Sequence, residues 1–92
     1  MIRSFRSRPL KWLWVKNDAS GLPSSHRIKI EMILDRLDAA VLPGDMNIPG
    51  LDFHFLKGDS KGRYAVKVSA NYRITFGWDD RDAIDIDYED YH

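Results

Sequence analysis

Helical periodicity in the first half of the chain and a period of two in the second half predict an α+β fold, with two N-terminal helices packed on a small antiparallel sheet. Short turns separate the alternating runs, so the strands pair as hairpins rather than through crossovers. The 92 residues, 43% of them apolar, suffice for one hydrophobic core and read as a single domain over residues 1–92.

Met1 to Phe5 reads as a short strand with Ile2 inward and Arg3 outward. Residues 8–17 are helical because Leu10, Leu13 and Trp14 share one face, and Asn17 to Gly21 supplies the stop. Leu22-Pro23-Ser24-Ser25 starts a second helix, with Ser24 or Ser25 as its cap. That helix runs to about Val41, and Ile30, Ile33, Leu34, Leu37 and Val41 form its core stripe. Pro43-Gly44 and Pro49-Gly50 bracket a loop from Leu42 to Leu51.

Phe53 to Lys57 is the first strand after the loop, followed by a turn at Gly58 to Gly62. Tyr64, Val66 and Val68 then alternate with Ala65 and Lys67, and Tyr72, Ile74, Phe76 and Trp78 alternate with Arg73, Thr75 and Gly77. The last strand runs from Ala83 to Tyr91, with Ile84, Ile86 and Tyr88 inward and Asp85, Asp87 and Glu89 outward. If the aromatic set covers the helices, Lys67, Arg73 and Thr75 form a polar, partly basic floor on the other face.

The formal net charge is zero, but the charges are segregated. Basic groups dominate residues 1–30 and again 57–73, whereas 79–90 is acidic apart from Arg81. A neutral chain does not bind nucleic acid by long-range attraction alone, although its basic patches can do so locally. There is no cysteine, which excludes a disulfide scaffold or a zinc–thiolate site and fits a reducing cytoplasm. Neither a secretory signal nor a membrane-spanning run is recognisable.

Of the three histidines, His26 lies in the first turn of a helix, off the apolar stripe, and reads as a surface residue. Taken alone, His54 between two phenylalanines reads as structural, and His92 as an incidental tail residue. Together with Asp90 and Tyr91, however, His54 and His92 could form an acid–base pair with orienting groups. Strict alternation gives Asp90 and His92 the inward parity but not Tyr91, so a bulge or a curling end is needed to gather all three. The spacings fit no metal-ligand pattern, calcium loop, phosphate loop or nucleophile motif, so no metal or cofactor is expected.

Met46-Asn47-x-Pro49-Gly50, Leu51-x-x-His54-x-Leu56-Lys57-Gly58, Gly62-x-Tyr64-x-Val66-x-Val68, Asn71-Tyr72-Arg73-Ile74-Thr75-Phe76 and the closing Asp87-Tyr88-Glu89-Asp90-Tyr91-His92 resemble, in that order, the HigB branch of the RelE/ParE toxin superfamily. The resemblance implies a bacterial type II toxin that cuts messenger RNA in the ribosomal A site. It also implies inhibition by a HigA-type helix-turn-helix antitoxin, with operator DNA contacted only through that partner, and no role for a membrane. The family's active-site histidine falls on His54, and its terminal Asp-Tyr-His falls on Asp90, Tyr91 and His92. Lys57 and Arg73 occupy its phosphate-neutralising positions, and Lys67 lies on the same basic floor. Phe55 stands where the family pattern has proline, Tyr72 where tryptophan is common, and relatives are usually basic overall. ParE-like relatives, which poison DNA gyrase and lack this histidine set, are the alternative, as is a module that only binds its antitoxin and tunes repression of their operon.

Overall fold

The computed structural model describes residues 1–90. Helix α1 spans Arg8–Lys16. The Ser7 hydroxyl accepts the Leu10 amide at 3.2 Å, Pro9 presets the first turn, and Asn17 ends the helix in the left-handed region at φ 55°. Leu10 and Leu13 are buried and Trp14 packs beside them.

Helix α2 spans Arg27–Ala39. Its entry differs from the expected serine cap: a 3₁₀ turn over Ser24–His26 tightens the start, with the His26 amide donating to the Pro23 carbonyl at 3.0 Å. Ile30, Ile33, Leu34 and Leu37 are fully buried as expected, but Val41 is not. The helix ends at Ala39, the extended Ala40 turns inward, and Val41 is left exposed.

Among the described residues the sheet has four antiparallel strands in sequence order: β1 (His54–Phe55), β2 (Tyr64–Lys67), β3 (Tyr72–Asp79) and β4 (Asp82–Asp90). β1 is two residues long rather than the five expected, although the Leu56 amide still bonds the Arg63 carbonyl at 2.8 Å. The first five residues form no regular strand. They lie parallel to β4 through isolated bridges at Ile2–Ala83 and Phe5–Ile86. Those bridges occupy the β4 edge and limit its exposure as a pairing template. Arg3 points outward and pairs with Asp79 and Asp82.

β4 is bulged. Thr75 pairs with Asp87 but Gly77 pairs with Ile84, so Asp85 and Ile86 together oppose Phe76, and Asp85 sits in the left-handed region at φ 50°. The extra residue reverses the parity of the strand start: Ala83, not Ile84, is buried, while Ile84 packs across the bare Cα of Gly77. A Cβ on Gly77 would lie 3.2 Å from Ile84, tighter than ordinary contact. Beyond the bulge, Ile86 is inward as expected. Val66, Ile74, Phe76 and Ile86 join the helix stripes in one core.

Candidate active site

Directly paired residues on neighbouring strands share a face, so the sheet register defines its open side. His54 of β1 pairs with Ala65 of β2, which pairs with Thr75 of β3, which pairs with Asp87 of β4. The adjacent row is Lys67, Arg73 and Glu89. Asp52, His54, Lys67 and Arg73 line a cavity of about 240 Å³ on this side. That volume is below the roughly 300 Å³ at which drug-sized pockets begin, and suits a phosphodiester with part of a ribose.

His54 reaches the cavity from an exposed position but is held locally. Asp52 takes up φ 48°, tolerable for aspartate, and its carbonyl lies 2.8 Å from His54 Nδ1. A carbonyl only accepts, so Nδ1 carries the hydrogen and a neutral imidazole presents its lone pair at Nε2. The loop before β1 is fixed from below by the Lys67 amide, which donates to the Leu51 carbonyl at 2.7 Å. His54 therefore meets the cationic groups with one nitrogen tethered and the other available for proton transfer.

Beneath the cavity runs a polar chain. Arg63 Nη2 donates to the Thr75 hydroxyl at 2.9 Å and to the Asp85 carbonyl, on the bulge, at 2.7 Å. The Thr75 hydroxyl donates in turn to Glu89 Oε2 at 2.6 Å, and Arg73 Nη2 bonds Glu89 Oε1 at 3.2 Å. Thr75 is fully buried although it faces away from the helices, because Arg63 and Glu89 cover it. Burial pushes the Glu89 carboxyl up, but the Thr75 hydroxyl, the Arg73 bond and the charges of Arg73 and Arg63 outweigh it and hold the group below the usual carboxylate range. Arg63 is pushed down by its own burial and by Arg6, against the pull of Glu89, Asp85 and Asp87.

Thus His54, Lys67 and Arg73 share one cavity. Lys57 is exposed and is not among its lining residues. Asp90 is exposed at the end of β4, paired with Tyr72. Tyr91 and His92 lie outside the described residues. His26 is not the surface residue its position suggested: it is half-buried, its Nδ1 lies 2.6 Å from the Tyr88 hydroxyl, and its ring packs edge-on to Tyr72 at 5.5 Å. Tyr72 and Tyr88 stack at 5.0 Å. Burial, with Tyr72 and the charge of Asp90, pushes Tyr88 up to about 12. Sequence reasoning missed Asp52, Arg63 and Glu89. Glu89 had a signal, since its outward parity matches that of Arg73; the tether at Asp52 had none, because it depends on a backbone carbonyl. Among the described residues, no group of three or more His, Asp or Glu side chains could hold a metal ion. Nor is any helix there long and apolar enough to cross a membrane.

Comparison with known proteins places these features in a family. The model of the HigB-like toxin family, described as RelE-like toxins of the type II toxin–antitoxin system HigB, matches residues 3–92. The chain is 40% identical to the Endoribonuclease HigB of Proteus vulgaris over 92 residues, covering all of both chains. It is 38% identical to Toxin HigB-1 of Vibrio cholerae serotype O1 over 72 residues, covering 77% of this chain and 75% of that one. The α+β architecture, the match over nearly the full length and these relatives establish that the chain belongs to the HigB-like toxin family of type II toxin–antitoxin systems.

Proposed function

We propose that the chain is an endoribonuclease toxin that cuts messenger RNA in the ribosomal A site. The reaction is an internal transesterification. A ribose 2′-hydroxyl attacks the adjacent phosphorus as a base removes its proton, and an acid protonates the departing 5′-oxygen. The products are a 2′,3′-cyclic phosphate and a 5′-hydroxyl end. His54 and His92 divide the base and acid roles, Asp90 orients an imidazole or takes a proton, and Tyr91 stacks on a base or positions the phosphate. Arg73 and Lys67, with Lys57 at the margin, neutralise the phosphorane.

The observation that carries this reading is the cavity where a tethered imidazole meets Lys67 and Arg73. A proton-transfer group and two cations around one phosphate-sized space are what phosphoryl cleavage requires. Glu89 pairs with Arg73, and His92 follows Glu89 by three positions in the sequence. The acting site is in the cytoplasm, with translating ribosomes. The inhibiting partner is a HigA-type helix-turn-helix antitoxin, which carries the operator-DNA contact for the pair.

Primer extension on a defined message, with and without translating ribosomes, tests this. Discrete breaks that need ribosomes, vanish with His54→Ala and are suppressed by the co-expressed partner are expected. Growth arrest with intact message in the folded variant points instead to gyrase poisoning. Equal cutting of naked RNA removes the ribosome from the mechanism.

A further inference from the structure

We propose that Glu89 is a positioning residue that fixes the orientation of the Arg73 guanidinium in the cavity, and that Thr75 and the buried Arg63 exist to hold Glu89 in place. The inference rests on the reading of Arg73 as a phosphate-neutralising group. An arginine side chain has many rotamers, and a cation stabilises a phosphorane only if its N–H groups point at the correct oxygens. Arg73 meets Glu89 across β3 and β4, with Nη2 donating to Oε1 at 3.2 Å, which fixes one arm of the planar fork and so the plane of the whole group.

Glu89 is itself fixed from below. Thr75 has a single hydroxyl proton. Because that oxygen accepts from Arg63, which can only donate, the proton is left for Glu89. The chain of bonds therefore converges on Glu89, with Arg63 donating to Thr75 and Thr75 to Glu89 on one side and Arg73 donating to Glu89 on the other. Its Arg63 end is anchored to backbone at the bulge, through the Asp85 carbonyl. The bulge thus turns a carbonyl to a use that a regular ladder would deny it.

Arg63 also has an electrostatic task. A carboxylate beside a phosphate site repels the ligand. Arg63 and Arg73 flank Glu89 and offset its charge. Arg63 does so at a cost to the fold: it is only 9% exposed, and among the described residues its buried Nε has no hydrogen-bond partner. An unsatisfied buried donor is unfavourable. A methionine or leucine would fill that space without the loss, so stability alone does not account for an arginine there.

The test is single-turnover cleavage of ribosome-bound message by Glu89→Gln, Arg73→Ala and the double variant, each with a thermal melt and circular dichroism. Glu89→Gln is expected to lower the maximal cleavage rate roughly tenfold to a hundredfold, as a misplacement near 1 Å does, with little change in the half-saturating concentration. In the Arg73→Ala background the same change is expected to cost no more than about twofold, because its effect passes through Arg73. A melt shift with an unchanged rate, a faster rate, or full additivity in the double variant overturns the proposal. Wild-type cleavage by Arg73→Ala overturns the underlying site as well, which separates the two failures. If Glu89→Gln does not fold, Thr75→Val and Thr75→Ser replace it: the valine is expected to lose rate and the serine to retain more of it, and equal rates refute the relay.

Discussion

Ile74 and Phe76 are sealed in the core on the helix side of β3, while their neighbours Arg73 and Thr75 carry a charged network on the other side. Ile74 and Phe76 are fully buried, whereas on the other side Thr75 is buried and Arg73 and Glu89 only partly so. The helix side removes apolar surface from water, which stabilises the fold at about 25 cal/mol per Å². The open side removes charges and hydroxyls from water, and hydrogen bonds only offset what that removal costs. The difference teaches that the helix side makes the protein fold, whereas the open side holds an arrangement of cations that stability alone does not explain and that the proposed cleavage would use.

The largest effect that sharpens this comparison is on the helix side. Phe76→Ala is expected to destabilise the protein by about 3–5 kcal/mol, a large share of the roughly 5–15 kcal/mol available to a domain. Urea denaturation measures the loss, and cleavage should fall only as the folded fraction falls. On the open side the pattern reverses. Arg73→Ala is expected to slow cleavage roughly tenfold to a thousandfold with a near-native melt, since its side chain is part-exposed. If Arg73→Ala unfolds the chain as readily as Phe76→Ala, the two faces are not distinct in the way described.

Two pH effects are smaller. Tyr88 titrates higher in the fold than its ordinary value near 10, because burial disfavours the phenolate. Its contribution to stability is whole below pH 10 and drains away as the pH climbs through about 12. Stability measured from pH 9 to 12 should therefore fall, and Tyr88→Phe should flatten that limb. Glu89 behaves oppositely, its carboxyl lying lower in the fold than in the unfolded chain. Its contribution is present above the unfolded value of about 4.3 and is lost as the pH falls through the lower folded value. Glu89→Gln should flatten the acid limb by a smaller amount, because the group is part-exposed and screened. An unchanged acid limb in Glu89→Gln contradicts the bonds drawn to Thr75 and Arg73.

Much of the fold was legible because it rests on periodicity. Ile30, Ile33, Leu34 and Leu37 of the α2 stripe and the inward set Val66, Ile74 and Phe76 follow from side-chain spacing alone, and all are buried. What failed was what periodicity does not encode. The left-handed Asp85 reversed the parity of Ala83 and Ile84. The early end of α2 exposed Val41. His26 was misplaced because its partner, Tyr88, is 62 residues away in sequence. In the site, His54 and Arg73 were named from residue types in a known order and Lys67 from strand parity, and the three line one cavity. Arg63 and Glu89 act through each other across the sheet, and no local pattern marks that.

The central claim is that the tethered imidazole on the open face cleaves RNA. Single-turnover cleavage of ribosome-bound message by wild type and His54→Ala, each verified as folded by circular dichroism, tests it most directly. Because His54 is exposed and, among the described residues, its side chain bonds the nearby Asp52 carbonyl, its loss should leave the melt nearly unchanged. The account predicts cleavage at discrete positions by the wild type and a loss on the order of a hundredfold to ten-thousandfold in the variant. Wild-type cleavage rates in a folded His54→Ala protein would contradict it.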